Sequence, residues 1–265
     1  MEDAVKQKVT VEKHGQVLCM GFNRPEKYNA MDVDTYQQLA AAYGQLQADE
    51  DLRCGLLFGH GENFTSGLEL DKWAPVFAKG GFPDIGADGI DPFGLQPEKR
   101  LNKPVVVAIQ GISFTVGLEL MLAADIRVAA ENSRFGQIEV KRGIYPVGGA
   151  TIRFVQNIGW GNAMRYLLTG DEIPPNEALR MGLIQAVTPV GEQFEKAFEL
   201  AERISKQAPL GVQATLKNAR LSLLDGERAA IARLLPDLVP ILNSDDAREG
   251  VQSFLERRTA EFKGR

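Results

Sequence analysis

The chain has 265 residues, 44% hydrophobic and 25% charged, as expected of a soluble globular protein with one sizeable core or two smaller ones. Its formal net charge of −5 gives no electrostatic reason to expect nucleic acid or an anionic membrane as partner. No apolar run approaches the ~18 residues of a membrane span, and the stretch from Met1 to Val5 is acidic, without a secretory or transit pattern, so a cytoplasmic protein is expected.

Strand-like runs at 17–22, 55–59, 105–109, 126–129 and 183–187 alternate with helical patterns at 34–47, 117–124, 151–157 and 161–168. That alternation predicts an α/β fold. Between them, residues 77–100 are rich in glycine and proline and show no period, which predicts a long loop or a partly ordered lid. From Gly191 onward the pattern is helical only, at 195–207, 209–224, 226–235 and 245–263. Two parts follow: a core over 1–190 and a helical unit over 191–265. The second carries an apolar stripe (Ile231, Leu234, Leu235, Leu238, Ile241, Leu242) larger than one small domain leaves open to water, which predicts self-association. Cys19 and Cys54 lie in strand-like runs and read as buried, reduced thiols. His14 and His60 adjoin turn glycines without ligand partners at metal-binding spacing, so no metal is expected.

Residues 102–149 carry the most chemistry. A β-branched run (Val105, Val106, Val107, Ile109) ends at Gly111, and a buried helix is expected to start near Val116–Gly117. Glu119 then falls in a first helical turn, where free N–H groups and the helix dipole favour negative charge. Glu139 lies twenty residues on, in a loop-like stretch. Two carboxylates beside an anion site suggest acid–base chemistry on a carbonyl compound, with one Glu kept charged and the other able to carry a proton.

The order of these segments resembles the crotonase (enoyl-CoA hydratase/isomerase) superfamily over roughly residues 5–263. The family's NRPxxxNA appears as Asn23-Arg24-Pro25 through Asn29-Ala30, and its FxAGADL loop as Phe64 to Leu70. Its KPVVAAIxGxxxGGGxELALACD segment appears as Lys103 to Asp125, and FGxPExxxGxxPxxGGT as Phe135 to Thr151. Farther on, Gly170 to Ile184 and Ser244 to Arg258 resemble its later segments. The resemblance implies a spiral of ββα repeats followed by a helical trimerisation domain, assembled as a trimer or a dimer of trimers. It implies an acyl-CoA thioester substrate and no cofactor beyond the coenzyme A of that substrate.

By the same resemblance, Glu119 and Glu139 would hold and activate water, and the N–H groups of Leu68 and Val116 would form the oxyanion hole. Contacts to substrate or coenzyme A would come from Arg24, Lys27, Tyr28, Ser66, Gly67, Leu70, Gly117, Pro146 and Gly148. Leu238 and Arg257 would reach a neighbouring subunit's acyl chain and coenzyme A. The sequence departs from the family at Thr115-Val116, where glycines are usual; Val116, being β-branched, restricts the backbone and fills space. Isomerases of the family keep one of the two carboxylates, so the pair points to hydration of a 2-enoyl-CoA. An isomerase or other acyl-CoA lyase, and a non-catalytic acyl-CoA- or partner-binding member, stand as alternatives.

Overall fold

The computed structural model describes residues 7–265; the acidic stretch from Met1 to Val5 lies outside the described residues. A six-stranded sheet takes the order β1-β2-β3-β4-β6-β8, from β1 (Val9–His14), β2 (Val17–Phe22), β3 (Cys54–Gly59), β4 (Val105–Ile109), β6 (Ile126–Ala130) and β8 (Ala186–Thr188). The β1–β2 pair is an antiparallel hairpin, and every other neighbouring pair is parallel. A second, two-stranded sheet pairs β5 (Ile112–Phe114) with β7 (Arg134–Gly136). Single bridges at Thr65–Ser113 and Phe135–Ile173 extend it. Successive turns of chain thus give one strand to the large sheet and a short one to the small sheet, which makes a spiral.

β2 is buried along its whole length, as a strand covered on both faces must be. Leu18, Met20 and Phe22 face the main core, while Val17 and Cys19 face a second core under α7 (Gln193–Ser205). Ala197 and Ala201 of α7 are wholly buried there, so a division at residue 190 falls ahead of a helix that packs on the sheet. The helices that lean least on the sheet come after it: α8 (Pro209–Asp225), α9 (Glu227–Leu242) and α10 (Asp245–Glu256). α8 has no buried residue and α9 only Ala230.

Several boundaries differ from the sequence expectations. α9 runs on through Pro236 and Pro240 instead of stopping before the first. α10 stops at Glu256 because Arg257 turns left-handed, and the tail folds back so that the Lys263 and Gly264 N–H groups bond the Asp246 carboxylate. The 77–100 segment is the long loop expected, with one 3-10 turn at Pro97–Lys99, and it is anchored. Phe82 and Phe93 join Tyr36, Trp73 and Phe77 in one aromatic cluster, with Phe93 fully buried. Cys19 and Cys54 are buried and free.

Candidate active site

The Asn23-to-Ala30 turn fixes the first loop. A short 3-10 turn (Pro25–Lys27) leads into left-handed Tyr28 and Asn29, and the Asn29 amide donates to the carbonyls of His60 (2.9 Å) and Asn63 (2.8 Å). The turn then grips the next loop: Ser66 N–H donates to Tyr28 O at 2.9 Å, Met31 N–H to Gly67 O at 2.8 Å, and Glu69 N–H to Met31 O at 3.0 Å. In that parallel bridge the N–H of Leu68 must point the other way, and it has no acceptor among the described residues. Arg24 takes a different part from the one expected. Its guanidinium is buried against Ala30 O, Asp32 and Glu69, so it braces this turn.

The second loop leads into α3 (Val116–Ala123), where the Val116 N–H likewise donates to nothing among the described residues. The backbone strain falls on Thr115, not on Val116: Thr115 has φ 51 and ψ −118, whereas Val116 is an ordinary first helical residue. A β-branched residue held there costs about 1–3 kcal/mol. Gly67 makes room for it, since a Cβ on Gly67 would fall 2.1 Å from the Thr115 hydroxyl oxygen. Gly117 is needed for the same kind of reason, because a Cβ there would meet Thr65 Cγ2 at 2.6 Å.

Glu119 is 1% exposed and Glu139 7%. Glu119 Oε1 accepts from Ala150 N–H (3.0 Å), the first residue of α4 (Ala150–Ile158), and Glu139 Oε1 accepts from the Gln137 amide (3.2 Å). Each keeps its other oxygen, Oε2, buried and unbonded. Burial pushes Glu119 up to about 7; the charge of Glu139 adds to the rise, while the Ala150 and Gly148 N–H groups and Arg153 oppose it. Burial also pushes Glu139 up to about 7. The expected division, with Glu119 kept charged by its own helix start, is therefore corrected. The helix end that meets its carboxylate belongs to α4, and desolvation outweighs it.

Both glutamates line one cavity of ≈ 230 Å³ with Ser66, Leu68, Leu70, Thr115, Val116 and Ile138. Phe77, Arg142, Ile144, Tyr145 and Val147 complete its wall. Phe77 ends α2 (Leu70–Phe77), a helix the sequence did not signal, and nothing marked Gln137 or Ala150 as holders of the glutamates. Gly148 abuts Glu119, while Pro146 is buried beside this wall without lining the cavity. Lys27 and Tyr28 are exposed, and Lys27 pairs with Glu69. Leu238 on α9 and Arg257 after α10 are exposed and do not line the cavity of their own chain. The described residues contain no group of three or more His, Cys, Asp or Glu side chains placed to hold a metal. Nor is any described helix long and apolar enough to cross a membrane.

Residues 12–265 match the family described as Enoyl-CoA hydratase/isomerase. The chain is 36% identical over 257 residues to enoyl-CoA hydratase EchA19 of Mycobacterium tuberculosis, covering 96% of each. It is 34% identical to carnitinyl-CoA dehydratase of Proteus mirabilis, over 98% of this chain and 100% of that one. Among solved structures, a probable enoyl-CoA hydratase/isomerase from Mycobacterium abscessus superposes with a TM-score of 0.93 at 46% identity, covering 98% of this chain and 99% of that one.

Proposed function

The chain belongs to the enoyl-CoA hydratase/isomerase family, and from that premise we propose that it is a hydro-lyase adding water across the 2,3 double bond of a 2-enoyl-CoA. One observation carries this reading: Glu119 and Glu139 each leave one carboxylate oxygen unbonded in the wall of a single cavity. An isomerase needs one group to move a proton between two carbons. Hydration needs one group to take a proton from water and another to supply one to carbon.

With both groups raised to about 7, the pair holds one proton near neutral pH. The ionised carboxylate takes a proton as the water oxygen bonds to C3. The C2–C3 π electrons move toward the thioester, placing charge on its oxygen. The protonated carboxyl then gives its proton to C2 as that charge returns, so the water's second hydrogen stays on the new hydroxyl. The free N–H groups of Leu68 and Val116 are the donors we assign to the thioester oxygen, each worth ~3–4 kcal/mol in a transition state of this kind. No step calls for a cofactor beyond the coenzyme A of the substrate.

We further assign association to α8–α10, whose exposed Leu223, Leu234, Leu235, Leu242, Phe254 and Leu255 support self-association; the trimer or dimer of trimers is the form the family resemblance implies. In such an assembly Leu238 and Arg257 would face a neighbour. A cytoplasmic setting is in keeping with the bacterial relatives.

The test is crotonyl-CoA with purified protein, following loss of the conjugated thioester absorbance and formation of 3-hydroxybutyryl-CoA by mass spectrometry. Conversion of a 3-enoyl-CoA to the 2-enoyl isomer without uptake of water would replace the hydratase reading with the isomerase.

A further inference from the structure

Arg153 on α4 stands where three parts of the chain meet. Its Nη2 donates to Gly94 O at 3.1 Å, and its own N–H donates to Gly149 O at 2.9 Å. Nη1 is buried without a partner among the described residues. A Cβ on Gly149, which has φ +108, would lie 2.8 Å from that Nη1, so the guanidinium rests on the peptide that opens α4. The next residue, Ala150, gives its N–H to Glu119. The loop on the far side is itself well tied. The Asp91 carboxylate accepts from the N–H groups of Phe93 (2.9 Å), Leu95 (2.7 Å) and Gln96 (3.1 Å).

We propose that Arg153 is a positioning residue for Glu119, clamping the 91–96 loop to the first turn of α4 so that the Ala150 N–H and the guanidinium charge both bear on that carboxylate. The inference rests on the reading of Glu119 as one of the hydratase's two proton-handling groups. The loop belongs to the segment that carries Phe77 in the cavity wall, so the clamp couples the substrate side of that segment to Glu119. Glu139 opposes ionisation of Glu119 and Arg153 favours it. Arg153 in turn faces burial, the supporting charges of Asp91 and Glu119, and the opposing charges of Arg220 and Arg100.

The test compares wild type with Arg153→Met, Arg153→Gln and Arg153→Lys. The first measurement is an NMR titration of the ¹³C-labelled Glu119 carboxyl, assigned with Glu119→Gln, which needs no turnover. The second is the pH dependence of kcat on crotonyl-CoA. Met and Gln should raise the Glu119 midpoint by about half a pH unit or more, since a nearby cation favours the charged form. Lys should bring it back most of the way. The kcat limb should follow the same order, with KM changed less than threefold. Gln can still donate to Gly94 O, so it decides the matter if the Met protein does not fold. An unmoved midpoint in the Gln variant, or a Lys variant shifted as far as Gln, overturns the proposal. Wild type with a normal titration but no hydration would instead overturn the functional reading alone.

Discussion

Gly148 lies so close to Glu119 that a Cβ on it would fall 2.5 Å from Oε2 and 2.8 Å from Cδ of that carboxylate. The nearest obstacle is the end of the Glu119 side chain, with its Cβ farther off at 3.2 Å, and Gly148 has no positive φ. Gly148→Ala should therefore push the carboxylate aside at a modest cost in stability, since Glu119 is buried and accepts from the Ala150 N–H. The expected result is a kcat at least ~10-fold lower, within the usual range for misplacing an acid–base group, and a melting temperature only modestly below that of wild type. Steady-state kinetics with a thermal melt checks both halves. A large fall in melting temperature would mean that the backbone, not the Glu119 side chain, had moved.

Glu119→Gln and Glu139→Gln keep shape while removing the proton-handling group, and each should lower kcat by at least ~100-fold. Stability should move the other way. Burial raises Glu119 from 4.5 to about 7, so between those values the folded chain keeps a proton that the unfolded chain has released. That contribution is fully present on the acid side and is lost as pH rises through about 7. Glu119→Gln cannot ionise, so relative to wild type it should gain roughly 1–3 kcal/mol between pH 5 and pH 8.5. Urea unfolding at the two pH values measures the difference, and a gap of equal size at both would refute it.

Val116 is 3% exposed and lines the cavity beside its own free N–H. Val116→Gly should keep the donor and widen the space next to the thioester. Activity on branched acyl-CoAs should rise relative to crotonyl-CoA, with a stability loss of about 1 kcal/mol or more from backbone entropy and lost packing. Competition assays with paired straight and branched substrates give the ratio directly. An unchanged ratio would show that the Val116 side chain does not limit the acyl group.

Leu234 and Leu235 are 55% and 71% exposed on α9, on the face assigned to association. Light scattering should give a mass near three or six times the 29.0 kDa of one chain. Leu234→Asp with Leu235→Asp should lower it toward one chain while leaving the spectrum of the folded core intact. A wild-type monomer at micromolar concentration would remove the basis for placing Leu238 and Arg257 at a neighbour's site.

Much of this protein can be read from the sequence because its signals are local. The run from Val105 to Ile109 is buried along its length, and the helix start at Val116 lies where apolar spacing put it. Glu119 and Glu139 could be singled out by their place in an ordered set of segments. The short strands β5 and β7 could not, because three residues are too few to carry a period, and only their pairing with segments distant in sequence makes them strands. Helix α2 was hidden for a similar reason, since Pro75 lies inside it and only Trp73 is buried. The protonation of the glutamates was also out of reach. A sequence shows that Glu119 sits near a helix start, which by itself favours the charged form. Tertiary packing puts it 1% exposed beside a second carboxylate and under the first N–H of a different helix. Desolvation depends on everything that surrounds a group, so it is decided only when the chain has folded. Arg24 shows the same limit: a basic residue in a family motif reads as a contact to substrate or coenzyme A, yet two acidic side chains distant in sequence or across a turn draw it inward.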